Sequence, residues 1–207
     1  MAIVTVSRQY GSGGSEVAER VSRALGWRLY DNAVVDSVAD RLGITPAEVS
    51  AREERLPTLG ERFASAMSLA APEALITGEY AVIPPSEDRI VEVTQRVMEE
   101  AVQSGPAVIV GRGAQCLLAK RSDALHVFCY APLESLIEYT MKSLSIKHDE
   151  AKKKVIDMNA RREDYVKRHW KRDWRDLSNY HLCVNTGWLG IDDAAEIVTR
   201  VAKERFG

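Results

Sequence analysis

Residues 3–25, IVTVSRQYGSGGSEVAERVSRAL, pass from an apolar run through a glycine-rich turn into an amphipathic segment. The β-branched residues 3–6 predict a short strand that is buried on both faces, as in a parallel sheet. From Ser15 onward the apolar residues recur at helical spacing, which predicts a helix that ends at Gly26. The chain therefore opens with a strand, a turn and a helix, in the order typical of an α/β fold.

The turn contains five candidate phosphate-binding residues, namely Gly11, Ser12, Gly13, Gly14 and Ser15. Glycines leave backbone N–H groups open to a ligand, and the N-terminus of the next helix is partially positive, so both favour a phosphate. The P-loop pattern is Gly, four residues, Gly-Lys and then Ser or Thr, and Gly13 and Ser15 match it. Arg8 instead occupies the first glycine position, and Gly14 occupies the lysine position. The alternative is a glycine turn that binds no ligand.

Four more apolar runs predict strands, at 27–30, 107–110, 125–130 and 182–185. Segments of helical periodicity separate these runs, which implies a three-layer, doubly wound parallel sheet. A length of 207 residues suits one such domain. Ligands of these sheets bind beyond the C-terminal ends of the strands, so the turns that follow the strands are the expected site.

Two charged residues directly follow predicted strands. Arg112 stands between two glycines and suits bidentate phosphate binding, although it could also pair with a core carboxylate or cap a helix. Asp31 could contact a substrate or simply cap the next helix. Residues 32–85 predict a helical lobe beside the sheet, and the looser pattern over 55–85 is interpreted as a mobile insert.

The segment 142–175 carries twelve Lys and Arg against six Asp and Glu, whereas the rest of the chain carries sixteen against twenty-four. This distribution indicates that something anionic meets the segment. Arg161, Arg162 and Arg168 are its candidate phosphate clamps, and a solvated helical face is the alternative. The acidic remainder and the net charge of −2 argue against nucleic-acid binding.

The sequence also favours a cytoplasmic protein that does not span a membrane. The cysteines, Cys116, Cys129 and Cys183, have apolar neighbours and no metal-binding spacing, so we interpret them as free thiols in a reducing compartment. No apolar run is long enough to cross a bilayer. Met1 leads almost directly into the first strand, so no signal peptide is expected.

In this order, the motifs resemble the cytidylate kinase-like family, a branch of the P-loop nucleoside monophosphate kinases. The matching segments are SRQYGSGG at 7–14, LYD at 29–31, VGRGA at 110–114, and NT at 185–186 with GID at 190–192. The resemblance implies transfer of the γ-phosphoryl group of Mg-ATP to a small acceptor, with CMP or dCMP as the namesake substrate. It also implies a phosphate loop, an acceptor-binding helical lobe and an arginine-rich lid that closes over the site.

The resemblance assigns a role to each candidate residue. Gly11 to Ser15 would hold the ATP phosphates, with the Ser15 hydroxyl as a Mg²⁺ ligand. Arg112 would bind the acceptor phosphate, and Asp31, ahead of Glu16, is the nearest carboxylate for Mg²⁺ or the acceptor. A helical lid over about 155–175 would supply the clamping side chains Arg161, Arg162 and Arg168.

The chain departs from the family pattern at two positions. Cytidylate kinases typically carry lysine where Gly14 stands and a carboxylate where Gly113 stands. The lysine matters because its ammonium reaches the β and γ phosphates. Arg8 or a lid arginine could replace its charge, and the sequence does not decide between them. Residues 55–85 contain no obvious cytosine-reading set, which leaves the acceptor open.

Gly14 also supports a second hypothesis, in which the chain is a non-catalytic nucleotide-binding regulatory module. Under the kinase hypothesis the partners are a nucleotide and a small-molecule acceptor, without nucleic acid or membrane. Self-association into a homo-oligomer is left open by the residues.

Overall fold

The computed structural model describes residues 2–53 and 86–207, with only the backbone given for 51–53. The insert predicted over 55–85 lies outside the described residues. Within them, a five-stranded sheet is flanked by helices. None of the helices described is both long enough and apolar enough to cross a lipid bilayer.

The strands of the sheet are all parallel. They are β1 (Ile3–Arg8), β2 (Arg28–Tyr30), β3 (Ala107–Val110), β4 (Ala124–Tyr130) and β5 (Leu182–Asn185). Their order is β2-β3-β1-β4-β5, and Val6 of the central β1 pairs with Val110 on one side and Val127 on the other. The predicted doubly wound parallel sheet is confirmed.

Helices cover both faces of this sheet. They are α1 (Gly14–Leu25), α2 (Asn32–Leu42), α3 (Pro46–Glu53), α4 (Glu87–Gln103), α5 (Ala114–Leu117), α6 (Leu133–Leu144), α7 (His148–Trp170) and α8 (Thr186–Phe206). Val4 and Val6 pack with α1 and α8, whereas Ile3 packs with α2 and α4 on the opposite face. Since successive strand residues point to opposite faces, an uninterrupted apolar strand is needed to fill both layers.

The strand order fixes where a ligand can bind. The chain leaves β1 for α1 on one face and leaves β3 for α5 on the other. The connections after β1 and β3 therefore run to opposite faces of the sheet and leave a crevice between the C-terminal ends of these two strands. Open α/β sheets bind their ligands in such a crevice. Arg8 ends β1 and Arg112 follows β3, so both residues lie at this edge.

The last helix begins five residues before residue 191, where the apolar positions of the closing segment first recur at helical spacing. It starts at Thr186, because the Asn185 side chain accepts hydrogen bonds from the N–H groups of Gly187 and Trp188. Gly190, at φ 80°, then interrupts the helical backbone. The short first segment was not predicted because its cap depends on the Asn185 rotamer.

Helix α7 ends earlier than the predicted residue 175. Its last residue is Trp170, and Lys171 adopts a left-handed φ of 55°. Trp174 is buried beyond this turn and contacts Phe128 edge-on, with ring centroids 5.4 Å apart. This tertiary contact determines where the helix stops, and the charge pattern of the segment carries no signal of it.

The three cysteines are free, as predicted. Burial raises the pKa of the Cys116 thiol to about 11 and that of Cys129 to about 12. Both therefore stay protonated at neutral pH and pack as small apolar side chains.

Candidate functional site

The glycine loop, residues 9–15, joins β1 to α1 and is held in shape by hydrogen bonds. Gln9 Oε1 accepts from the Ala131 N–H at 3.1 Å, and Ser12 Oγ donates to the Gln9 carbonyl oxygen at 2.8 Å. Gly11 has a φ of +83°, and a Cβ there would lie 2.5 Å from a carbonyl oxygen of α6. Only glycine fits this position. The loop therefore has a defined shape before any ligand binds.

The loop pocket opens at the N-terminus of α1, between the glycine loop, α6 and Arg162. The Val17 N–H donates to the Gly13 carbonyl oxygen, so the N–H groups of residues 14–16 have no partner within the helix. Together with the helix dipole, these groups favour an anion. The predicted phosphate-binding residues that line the pocket are Gly11, Gly13, Gly14 and Ser15. Ser12 is buried and does not line it.

The arginine pocket is a second opening, between the C-terminal ends of β1 and β3 and helix α7. Four arginines line it: Arg8, Arg112, Arg161 and Arg162. Its other walls include the aromatic side chains of Tyr165 and Trp174 and the buried amide of Gln115. None of the described lining residues is acidic, so the pocket suits an anionic ligand with an apolar or planar part.

Arg112 is held in an unusual backbone conformation. Gly111, Arg112 and Gly113 have φ values of 73°, 52° and 70°. A left-handed conformation costs a residue with a side chain about 1–2 kcal/mol. The Arg112 guanidinium donates to the Asp31 carbonyl oxygen at 3.4 Å and lines the arginine pocket. Backbone strain of this kind concentrates at functional sites, and here it directs a cation into the crevice.

Helix α7 rests directly on the glycine loop. Asn159 Oδ1 accepts from the Tyr10 N–H at 2.7 Å, and Arg162 donates to the Arg8 carbonyl oxygen at 2.7 Å. The Arg162 guanidinium also lies 5.6 Å from the centre of the Tyr10 ring, in cation–π contact. The segment predicted as a lid therefore covers both pockets.

The structure does not bring Arg168 to either pocket. Its guanidinium pairs with Asp164 and with Glu87, at 2.6 Å in each case. Glu87 is the first residue of α4, which packs against one face of the sheet. Arg168 therefore connects α7 to α4. Arg161 and Arg162 are the lid arginines that line the arginine pocket.

The two candidate carboxylates lie in different places. Asp31 precedes α2 but makes no capping hydrogen bond, and its carboxylate lies 3.7 Å from the Arg8 guanidinium. Glu16 lines the loop pocket and accepts a hydrogen bond from the Tyr139 hydroxyl. Burial, and then this bond, raise the pKa of Tyr139 well above its usual value. Tyr139 therefore remains a donor to Glu16.

Sequence reasoning missed the roles of Gln9, Tyr139 and Asn159, which fix the loop or its pocket. Asn159 is buried within a highly charged helix, and an uncharged polar residue there is a signal that could have been used. Gln9 and Tyr139 carry no comparable signal, because a glutamine in a turn or a tyrosine on an amphipathic helix is ordinary.

The side chains of the loop pocket suit a magnesium ion that is held mainly by substrate phosphates. In residues 2–53 and 86–207, no three His, Cys, Asp or Glu side chains form a cluster that could hold a metal. Mg²⁺ usually takes most of its ligands from substrate phosphates and water, with one or two from the protein. Ser15 and Glu16, which carry side-chain oxygens, line the loop pocket.

Comparisons with known sequences agree on one family. The sequence model of the cytidylate kinase-like family matches residues 3–187. A cytidylate kinase of Methanocaldococcus jannaschii is 29% identical over 123 residues, which are 58% of this chain and 69% of that protein. A cytidylate kinase of Ignicoccus hospitalis is 23% identical over 202 residues, which are 97% of this chain and 99% of that protein.

Solved structures share the fold. An uncharacterized protein from Eubacterium ventriosum superposes with a TM-score of 0.71 at 16% identity, over 98% of this chain and 99% of that one. A shikimate kinase from Bacteroides thetaiotaomicron superposes with a TM-score of 0.53 at 14% identity, over 98% of both chains. The fold is therefore that of the P-loop kinases.

Proposed function

The chain belongs to the cytidylate kinase-like family, and from this premise we propose that it transfers the γ-phosphoryl group of ATP to CMP, dCMP or a related small acceptor. The family supports a kinase that uses a nucleotide. The acceptor and the roles of individual residues are proposed from the geometry of the two pockets.

The observation that carries the proposal is that the loop pocket and the arginine pocket have two lining residues in common. Arg8 and Arg162 line both of them. A donor phosphate in one pocket and an acceptor in the other would therefore meet at the same two guanidinium groups. Phosphoryl transfer needs this arrangement, because the attacking and leaving oxygens must lie on opposite sides of the γ phosphorus.

On the donor side, the backbone N–H groups at the start of α1 would bind the ATP phosphates. The Ser15 hydroxyl would be a ligand of Mg²⁺, and Glu16 would hold the ion through water. When bound, Mg²⁺ would neutralise part of the charge of the β and γ phosphates. Asn159 fixes the Tyr10 N–H and thereby the loop itself.

On the acceptor side, Arg112 and Arg161 would bind an anionic group. Arginine suits this role because its planar fork matches phosphate and stays charged at every relevant pH. The Trp174 ring would pack against a planar or apolar part of the acceptor. A nucleoside monophosphate satisfies both requirements.

Catalysis would depend on position and charge rather than on a nucleophilic side chain. The arginines would stabilise the charge that spreads over the γ-phosphoryl oxygens during transfer. Helix α7 would exclude water, so that the acceptor and not water receives the phosphoryl group.

A coupled assay of ADP release from Mg-ATP tests the proposal. The acceptors would be CMP, dCMP, UMP, AMP, GMP and a panel of nucleosides and hydroxylated metabolites. We expect acceptor-dependent ADP formation with at least one nucleoside monophosphate. If ATP binds by calorimetry and no acceptor stimulates ADP release, the regulatory-module hypothesis is favoured instead.

The assay has a matched pair of variants. Arg112→Ala should lower kcat/KM for the acceptor about 100-fold or more, because the anionic group of the acceptor loses a charged, bidentate hydrogen-bond partner. Arg23→Ala, on the exposed surface of α1, is the control. A similar loss in both variants would point to a general defect rather than to the arginine pocket.

A further inference from the structure

The Arg8 side chain occupies the space that a side chain at position 14 would need. A Cβ on Gly14 would lie 2.4 Å from Arg8 Cβ and 3.0 Å from Arg8 Cγ, and 3.1 Å from Cys129 Cβ. The first of these distances is far below van der Waals contact with a rigid part of Arg8. Arginine at position 8 and lysine at position 14 therefore exclude each other in this fold.

A second glycine accommodates the other end of the same side chain. A Cβ on Gly111 would lie 1.9 Å from Arg8 Nη1, so the guanidinium lies directly on the Gly111 backbone. The Arg8 side chain thus extends from the start of α1 to the end of β3, between two glycines. It is 17% exposed and lines both pockets.

The Arg8 guanidinium lies near the carboxylate that precedes α2. Its Nη2 lies 3.7 Å from an Asp31 carboxylate oxygen, and its backbone carbonyl is bound by Arg162. The charge therefore sits beside the acceptor half of the crevice, whereas a lysine at position 14 would extend from the first turn of α1.

We propose that Arg8 supplies the positive charge that lysine supplies in the P-loop pattern, and that position 14 is glycine because Arg8 needs its space. This inference rests on the proposed kinase function. In the reaction, an acceptor oxygen bonds to the γ phosphorus while the bond to the β–γ bridging oxygen breaks. The electron pair of that bond stays on ADP, and any proton of the acceptor oxygen leaves to solvent. Arg8 transfers no proton and stabilises the charge on the γ-phosphoryl oxygens.

An exchange of the two positions tests the inference. The variants are Arg8→Gly, Gly14→Lys and the double variant R8G/G14K, which restores the P-loop pattern at both positions. We expect Arg8→Gly to lower kcat by about 100-fold or more, with KM for ATP changed only a few-fold, because the charge acts mainly in the transition state. The double variant should recover at least tenfold of this loss.

Stability provides a readout that does not depend on turnover. Gly14→Lys alone should lower Tm by several degrees, because its side chain collides with Arg8. The double variant should recover most of this loss, which would give a large coupling between the two positions. Equal stability of Gly14→Lys and the wild type would overturn the steric part of the inference.

Nucleotide affinity separates failure of the inference from failure of the proposed function. If no acceptor is phosphorylated by the wild type, the proposed function fails, but the ratio of the Kd values of Mg-ADP and Mg-ATP still reports on Arg8. Arg8→Gly should reduce the preference for ATP a few-fold, in line with the small change in KM, and Arg23→Ala should keep it. An unchanged ratio in a folded Arg8→Gly protein, or kcat within threefold of the wild type, would overturn the assignment. So would a folded double variant that is no more active than Arg8→Gly.

Discussion

At the scale of single residues, Arg112 combines an unfavourable backbone conformation with a side chain that lines the arginine pocket. Arg112→Gly removes the side chain and relieves the left-handed strain, whereas Arg112→Ala removes the side chain and keeps the strain. We therefore expect Arg112→Gly to be more stable than Arg112→Ala by about 1 kcal/mol, with both variants nearly inactive. Urea unfolding and the ADP-release assay measure the two effects. Equal stability of the two variants would show that the backbone at position 112 is not strained.

His126 provides a second prediction at this scale. It is 3% exposed, its Nδ1 lies 2.8 Å from Thr5 Oγ1, and its ring stacks on His181. Burial, and then the neighbouring His181, lower the pKa of His126 to about 4. An unfolded histidine titrates near 6.5, so between about pH 6.5 and 4 the unfolded state binds more protons than the folded state. The free energy of unfolding should therefore fall as the pH falls through this window.

The full contribution of His126 to the free energy of unfolding approaches about 3 kcal/mol, since a pKa shift of one unit corresponds to about 1.4 kcal/mol. His126→Gln should be less stable at pH 7 and should lose stability more gradually between pH 6.5 and 4. Urea unfolding at several pH values measures both curves. If the variant loses stability as steeply as the wild type, another group causes the pH dependence.

The arginines show which site residues could be predicted from the sequence. The position of Arg112 at the arginine pocket could be predicted, because an arginine between two glycines at the end of a buried strand lies at the crevice of such a sheet. Arg168 lies in the same charged helix as Arg161 and Arg162, and its ion pairs with Asp164 and Glu87 are tertiary. A local pattern cannot tell a clamping arginine from a structural one, because all three are charged residues on one helix.

At the scale of elements, the contact between α7 and the glycine loop depends on Asn159. Asn159→Ala leaves the Tyr10 N–H without this acceptor, which should cost about 1 kcal/mol of stability. It should also raise KM for ATP and increase hydrogen exchange at the Tyr10 amide. Lys154→Ala, on the exposed side of the same helix, is the control. Unchanged exchange at Tyr10 would show that α7 does not hold the loop.

The strands could be predicted where every residue along them is buried. The β-branched run of β1 and the apolar run of β3 can fill both layers of the sheet only as strands, and all five predicted strands are present. The ends of α7 and α8 were not predictable, since Trp174 and the Asn185 cap act through packing and a rotamer. The fold could thus be predicted from periodicity, whereas the helix ends could not.

At the scale of the whole molecule, ligands that bind the folded state should stabilise it. At 100 times its Kd, ATP should add about 2.7 kcal/mol, which for a chain of this size corresponds to a rise in Tm of about 5–10 °C. Differential scanning calorimetry with and without nucleotide measures the shift. Gly11→Ala should abolish most of it, because its Cβ collides with α6 and distorts the loop. A wild-type shift in that variant would place the nucleotide elsewhere.

Because Arg8 and Arg162 line both pockets, the two pockets adjoin, and we expect that one molecule of suitable length would occupy both. A nucleotide joined to an acceptor through extra phosphates would bring its second half to a neighbouring, already formed pocket at high effective concentration. Such a compound should bind more tightly than either half, by a factor that depends on the number of bridging phosphates. The arrangement that we propose for transfer between two substrates therefore also predicts that a single inhibitor that imitates both would bind.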